Sequence, residues 1–105
     1  MTTQDAISIA TNFVSLASLS LPVQKAFIFG SYAQNKADES SDIDVCIVSP
    51  SFGKDLIDET VLLGQIASKI DLRIEPHPMS PEDFAEKYNL LAHEVKTHGI
   101  QLNTP

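Results

Sequence analysis

Apolar and polar residues alternate along the chain in blocks with either helical or strand-like spacing. Between Thr3 and Leu19, the residues Ile7, Ala10, Val14 and Ala17 recur on one helical face. Thr3 occupies the expected N-cap position and Pro22 marks the stop. Lys25-Ala26-Phe27-Ile28-Phe29 is aromatic and branched, which predicts a short strand ended by Gly30. Residues 31–41 are small and polar apart from Tyr32, and predict a turn with a short helical piece. Ile43 to Val48 predicts a second strand, and Ser49 to Asp55 an exposed, mobile loop. Ile57, Val61, Ile66 and Ile70 then define a helix running to about Lys69. Ile70 to Glu75 alternates strictly and predicts a third strand, which the Pro76-His77-Pro78 step ends. Ser80-Pro81-Glu82-Asp83 predicts a helix start, with Ser80 as cap and Pro81 at the first helical position. One helix should follow, carrying Phe84, Tyr88, Leu91 and Val95 and stopping at Gly99. Helices alternating with three short strands define an α/β class.

Side chains alternate faces along a strand, so each strand sorts its own residues. Ile43, Val45 and Ile47 share one face of the second strand, and Asp42, Asp44 and Cys46 the other. In the third strand Ile70, Leu72 and Ile74 oppose Asp71, Arg73 and Glu75. Side by side, these strands would bury their branched residues against helices packed on one face. The opposite face would stay wet, with Asp42, Asp44 and Asp71 turned towards it.

Composition narrows the classes that remain. The chain has 105 residues, suited to one domain covering 1–105, and 43% of them are hydrophobic, as in a globular protein. No apolar run approaches the roughly 20 residues that cross a bilayer, so no membrane role is expected. The N-terminus lacks the basic patch and apolar run of a secretory signal, and the expected location is cytoplasmic. Cys46 is the single cysteine and sits in an apolar run, which reads as packing and excludes an intramolecular disulfide. The net charge of −7 disfavours a long nucleic-acid partner, because the seven Lys and Arg form no basic cluster. The same acidity suits a domain that holds divalent cations or docks on a basic protein.

The chemistry concentrates in Gly30-Ser31-Tyr32-Ala33, followed after a polar spacer by Ser41-Asp42-Ile43-Asp44. A Gly-Ser turn at a strand end exposes backbone N–H groups that suit an anionic phosphate. Two aspartates one residue apart on a strand point the same way and can share divalent ions. Mg²⁺ prefers a few carboxylates, waters and phosphate oxygens. Two such ions, about 3.5–4 Å apart, stabilise both the attacking and leaving oxygens of a phosphoryl displacement. Asp71 is expected to complete the site as a third ligand and to accept the proton of the attacking hydroxyl. Arg73 shares the Asp71 face and reads equally as a phosphate contact or as an ion-pair partner of Glu75 or another acid, and Lys54 reads as a solvated lysine. His77, His93 and His98 lack metal-ligand spacing and receive no role.

These residues resemble the signature of the DNA polymerase β-like nucleotidyltransferase superfamily. More narrowly, the whole chain resembles the minimal nucleotidyltransferases, small proteins often encoded beside a HEPN-domain partner. The resemblance implies the nucleotidyltransferase fold, a small mixed β-sheet flanked by helices, with Mg²⁺ and with ATP or a related nucleotide as donor. It assigns Gly30 and Ser31 to nucleotide binding, and Asp42, Asp44 and Asp71 to metal binding and catalysis. It implies transfer of a nucleoside monophosphate, AMP above all, to a hydroxyl of a HEPN partner, as the antitoxin of a toxin–antitoxin pair. The family's Arg-Gly pair after this turn is replaced here by Gln34-Asn35, which removes a positive contact near the phosphates. Two other readings stand beside this one: a non-catalytic antitoxin that neutralises its partner by covering it, and a small-molecule nucleotidyltransferase.

Overall fold

The computed structural model describes all 105 residues. The elements run α1 (Thr3–Ala17), β1 (Lys25–Phe29), β2 (Ile43–Val48), α2 (Leu56–Ala67), β3 (Ile74–Met79), α3 (Pro81–Ala85), α4 (Leu90–His98) and β4 (Ile100–Gln101). The strands form one mixed sheet in the order β3-β2-β1-β4. β1 lies antiparallel to β2 and β4, while β2 and β3 are parallel through the α2 crossover. No helix is long and apolar enough to cross a membrane.

Local chemistry accounts for most boundaries. The cap of α1 is Thr2, one residue earlier than expected. The Thr2 hydroxyl accepts from the Asp5 N–H at 3.0 Å and the Asp5 carboxylate accepts from the Thr2 N–H at 3.0 Å, a reciprocal capping box. Ser80 caps α3 by accepting from the Asp83 N–H at 3.1 Å, with Pro81 at the first position. The expected long helix over Phe84–Val95 is instead two, because Glu86 turns extended and Asn89 caps a new start by accepting from the Ala92 N–H at 2.9 Å. The loop after β2 is also tied down rather than free. Phe52 is buried, and the Glu59 carboxylate accepts from the N–H groups of Gly53, Lys54 and Asp55.

The third strand departs most from its sequence expectation. It spans Ile74–Met79, so Pro76-His77-Pro78 lies inside it and Asp71 and Leu72 lie in the turn before it. The Arg73 carbonyl accepts from Ile43 and the Met79 carbonyl from Ser49, so odd-numbered residues of β3 turn their backbone to β2. Pro76 and Pro78 therefore turn theirs to the free edge, where a missing N–H breaks no ladder bond.

The sheet is covered on both faces, which corrects the expectation of one wet face. On the first face Ile28, Ile43, Val45, Ile47 and Ile74 pack against α1 and α2. On the second, Phe27, Phe29, Cys46, Val48 and Met79 pack under Ala92 and Val95 of α4. Each fully buried Ile, Leu or Phe here stabilises the fold by about 1.5–3 kcal/mol. The buried stripe of α2 is Leu63, Ile66 and Ala67. Val61, two residues from Leu63 and so about 200° around the helix, faces solvent, as do Leu56, Ile57 and Leu62. Leu72, expected in the core, is 86% exposed.

Candidate active site

Across the second face of the sheet the register aligns side chains in rows. Phe29, Asp44 and Glu75 form one row, and Phe27, Cys46 and His77 the next. Cys46 is fully buried and its thiol is pushed up to about 12 by that burial, which suits packing and not nucleophilic chemistry. Asp44, at the end of the face where β1 gives way to the Gly30 turn, keeps 23% of its side chain exposed, and His77 keeps 25%. Asp42 immediately precedes β2 and is exposed.

The turn after β1 is built around Gly30 at φ 72°, a left-handed conformation that favours glycine. A Cβ at this position would run into Oδ2 of Asp44. Turns continue through Asn35, where the predicted helical piece does not form. The Gln34 N–H donates to the Gly30 carbonyl at 3.2 Å and the Lys36 N–H to the Ser31 carbonyl at 2.9 Å. The N–H groups of Ser31, Tyr32 and Ala33 have no acceptor within the chain. Buried Tyr32 anchors the turn, and its carbonyl accepts from the Thr3 hydroxyl at 3.3 Å. Below the turn, Asp38 accepts from Ser40 and Ser41 and closes the loop that delivers Asp42.

Asp44, Glu75 and His77 each offer a ligand atom, all within 4.8 Å of one another. The Glu75 carboxyl is raised above the usual carboxylate range, first by burial and then by the charge of Asp44, with Asp42 adding to it and His77 opposing it. Asp71 is engaged differently. Its carboxylate accepts from the Arg73 backbone N–H and Nε at 2.9 Å and from Nη2 at 2.7 Å. These bonds hold the Asp71 carboxyl below its ordinary value. The acid that β3 sets opposite Asp44 is Glu75, not Asp71 as the expected strand would have it.

The sequence matches the family model described as the nucleotidyltransferase domain over residues 11–98. The chain belongs to this family. Solved structures share its fold at low identity. A candidate nucleotidyltransferase from Sulfolobus solfataricus superposes with a TM-score of 0.69 and 16% identity, covering 94% of this chain and 80% of that one. A toxin–antitoxin assembly crystallised with AMP-PNP gives 0.60 and 23%, covering 100% of this chain and 75% of that one. The toxin–antitoxin MntA–HpeT, in a mutant with two aspartates changed to glutamate, gives 0.56 and 21% at the same coverage. No curated protein matches the chain significantly. Nucleotidyltransferase domains generally take a nucleoside triphosphate together with a divalent metal.

The residues present fit such a metal. Burial first, and then the charges of Asp44 and Asp42, raise the Glu75 carboxyl, and a divalent cation would offset that crowding of negative charge. Glu75 and His77 are the members that sequence reasoning left without a site role. The available signal was the apolar-acid-apolar step Ile74-Glu75-Pro76, masked by the two prolines. Arg73 pairs with Asp71, and Gln34 donates to Glu94 at 3.3 Å. Gly30 is the most sensitive backbone position. Gly30→Ala should lose about 1–2 kcal/mol to left-handed strain and should displace Asp44, lowering nucleotidyl transfer more than stability. Thermal melts and a turnover assay on the same preparation check this, and unchanged turnover would separate Gly30 from the site.

Proposed function

We propose that this domain transfers AMP from ATP to a hydroxyl of a partner protein, in a Mg²⁺-dependent reaction, as the antitoxin of a HEPN toxin–antitoxin pair. The observation that carries the reading is the meeting of Asp42, Asp44 and Glu75 beside a Gly30-Ser31 turn with free N–H groups. In this reading Gly30 and Ser31 cradle the triphosphate, and Asp42 and Asp44 ligate Mg²⁺, two ions being the family's arrangement. A Mg²⁺ ion held there would offset negative charge on the reacting phosphate and the pyrophosphate leaving group. Glu75 takes the third acidic position, for which Asp71 was the sequence candidate. With its raised carboxyl it accepts the proton of the attacking hydroxyl. The acceptor oxygen bonds to the α-phosphorus and the bond to pyrophosphate breaks.

Further observations support a protein acceptor. The fold-sharing toxin–antitoxin assemblies join an antitoxin to a toxin, one of them with an ATP analogue. The exposed Leu56, Ile57, Val61 and Leu62 of α2 form an apolar surface of the kind that marks protein contacts. The net charge of −7 would steer a basic partner to the domain. The test is co-expression with the neighbouring gene, then size-exclusion chromatography and intact mass after incubation with Mg-ATP. A mass gain of about one AMP unit on the partner is expected. Ile57→Glu should weaken the complex by at least about ten-fold, equivalent to roughly 1.4 kcal/mol, while leaving metal binding intact. A complex without modification would favour the non-catalytic antitoxin. Absence of a complex together with modification of a small molecule would favour the small-molecule enzyme.

A further inference from the structure

We propose that His77 is a positioning residue that holds one oxygen of Asp44 so that the other faces the Gly30-Ser31 turn. The inference rests on Asp44 being a metal ligand, as proposed above. His77 stands one residue row beyond Glu75 on the strand that flanks β2, and its Nε2 lies 3.2 Å from Asp44 Oδ1. An ionised carboxylate only accepts hydrogen bonds, so Nε2 carries the proton and donates it. A nitrogen so engaged is not itself free to bind a cation. This separates His77 from the two acids it clusters with, although all three reach within 4.8 Å of one another.

The ring is held in turn. Phe29 meets it edge-on, with centroids 5.0 Å apart and planes at 63°, and its cross-strand neighbour Cys46 is fully buried. On the opposite side of the carboxylate, Oδ2 occupies the space that a Cβ of Gly30 would need. The two oxygens of Asp44 therefore have distinct neighbours. Oδ1 is tied to an imidazole on the sheet, and Oδ2 lies against the turn whose N–H groups are free. A carboxylate fixed in this way need not be ordered when a cation binds. Losing such an outer hydrogen bond commonly costs about 10–100-fold in metal affinity.

The test titrates Mn²⁺ alone into the protein, with free Mn²⁺ followed by electron paramagnetic resonance and folding followed by thermal melts. His77→Phe keeps a ring against Phe29 and removes the donor, and should bind Mn²⁺ about ten-fold or more weakly at an unchanged melting temperature. His77→Gln places an amide donor near the Nε2 position and should restore most of the affinity. If the phenylalanine variant does not fold, His77→Leu serves in its place. Wild-type affinity in the variants without a donor overturns the proposal. So does equal loss in His77→Gln, which would make His77 a ligand. Asp44→Asn provides the separate control: if it binds Mn²⁺ as the wild type does, the metal-site reading itself fails, whatever His77 does.

Discussion

Asp44→Asn should lower nucleotidyl transfer by about a thousand-fold or more while the domain stays folded. The size follows from the several kcal/mol that a bound divalent ion contributes to a phosphoryl transition state, since each 1.36 kcal/mol is a factor of ten in rate. The amide that replaces the carboxylate is uncharged and a poor ligand for Mg²⁺. Folding should be spared for two reasons. Asp44 belongs to neither apolar cluster. Its charge also contributes to the raised carboxyl of Glu75, so removing it relieves a repulsion. Intact-mass assays of transfer and thermal melts on the same protein give both readouts. Transfer at the wild-type rate would remove the metal role from Asp44, and loss of folding would move the residue from chemistry to structure.

The second large effect is a contrast between two acids. Glu75→Gln should reduce transfer at least about a hundred-fold, the usual scale for losing a general base, whereas Asp71→Asn should change it only a few-fold. The expectation follows from the register, which pairs Glu75 with Asp44, and from the commitment of Asp71 to Arg73. Asp71 should reveal itself instead in acid. Arg73 lowers its carboxyl, so the pair's stabilisation is present above the ordinary aspartate range and is lost as pH falls through the lowered value. Asp71→Asn should remove that component, seen as a shallower fall in melting temperature below about pH 4. A hundred-fold loss in Asp71→Asn with near-normal Glu75→Gln would return the third acidic position to Asp71.

Much was legible from neighbouring residues alone. β1 and β2 occupy the ranges expected for them, because each is a short branched or aromatic run closed by a turn residue. Asp42 and Asp44 come together by local spacing, since both lie on one short stretch of chain. The start of α3 at Ser80-Pro81 was likewise set by capping chemistry, which acts over a turn or less, and α4 stops at the expected Gly99, in an extended conformation. The motif that carries the family lies entirely in this locally determined part.

The tertiary structure decided what depended on distant segments. Pro76 and Pro78 read as a strand end until β3 is known to lie at the sheet edge with their backbones turned outward. That placement moves the strand to Ile74–Met79, sets Glu75 and His77 beside Asp44, and leaves Asp71 in a turn with Arg73. The second core also had no local signature, because Phe27, Cys46 and Met79 become a surface for α4 only once three strands are in register. The stripe of α2 that is buried was decided in the same way, by what the sheet and α1 left to cover. Periodicity specifies which residues share a face, whereas pairing across the sheet specifies which face meets another, and the site is built from the second.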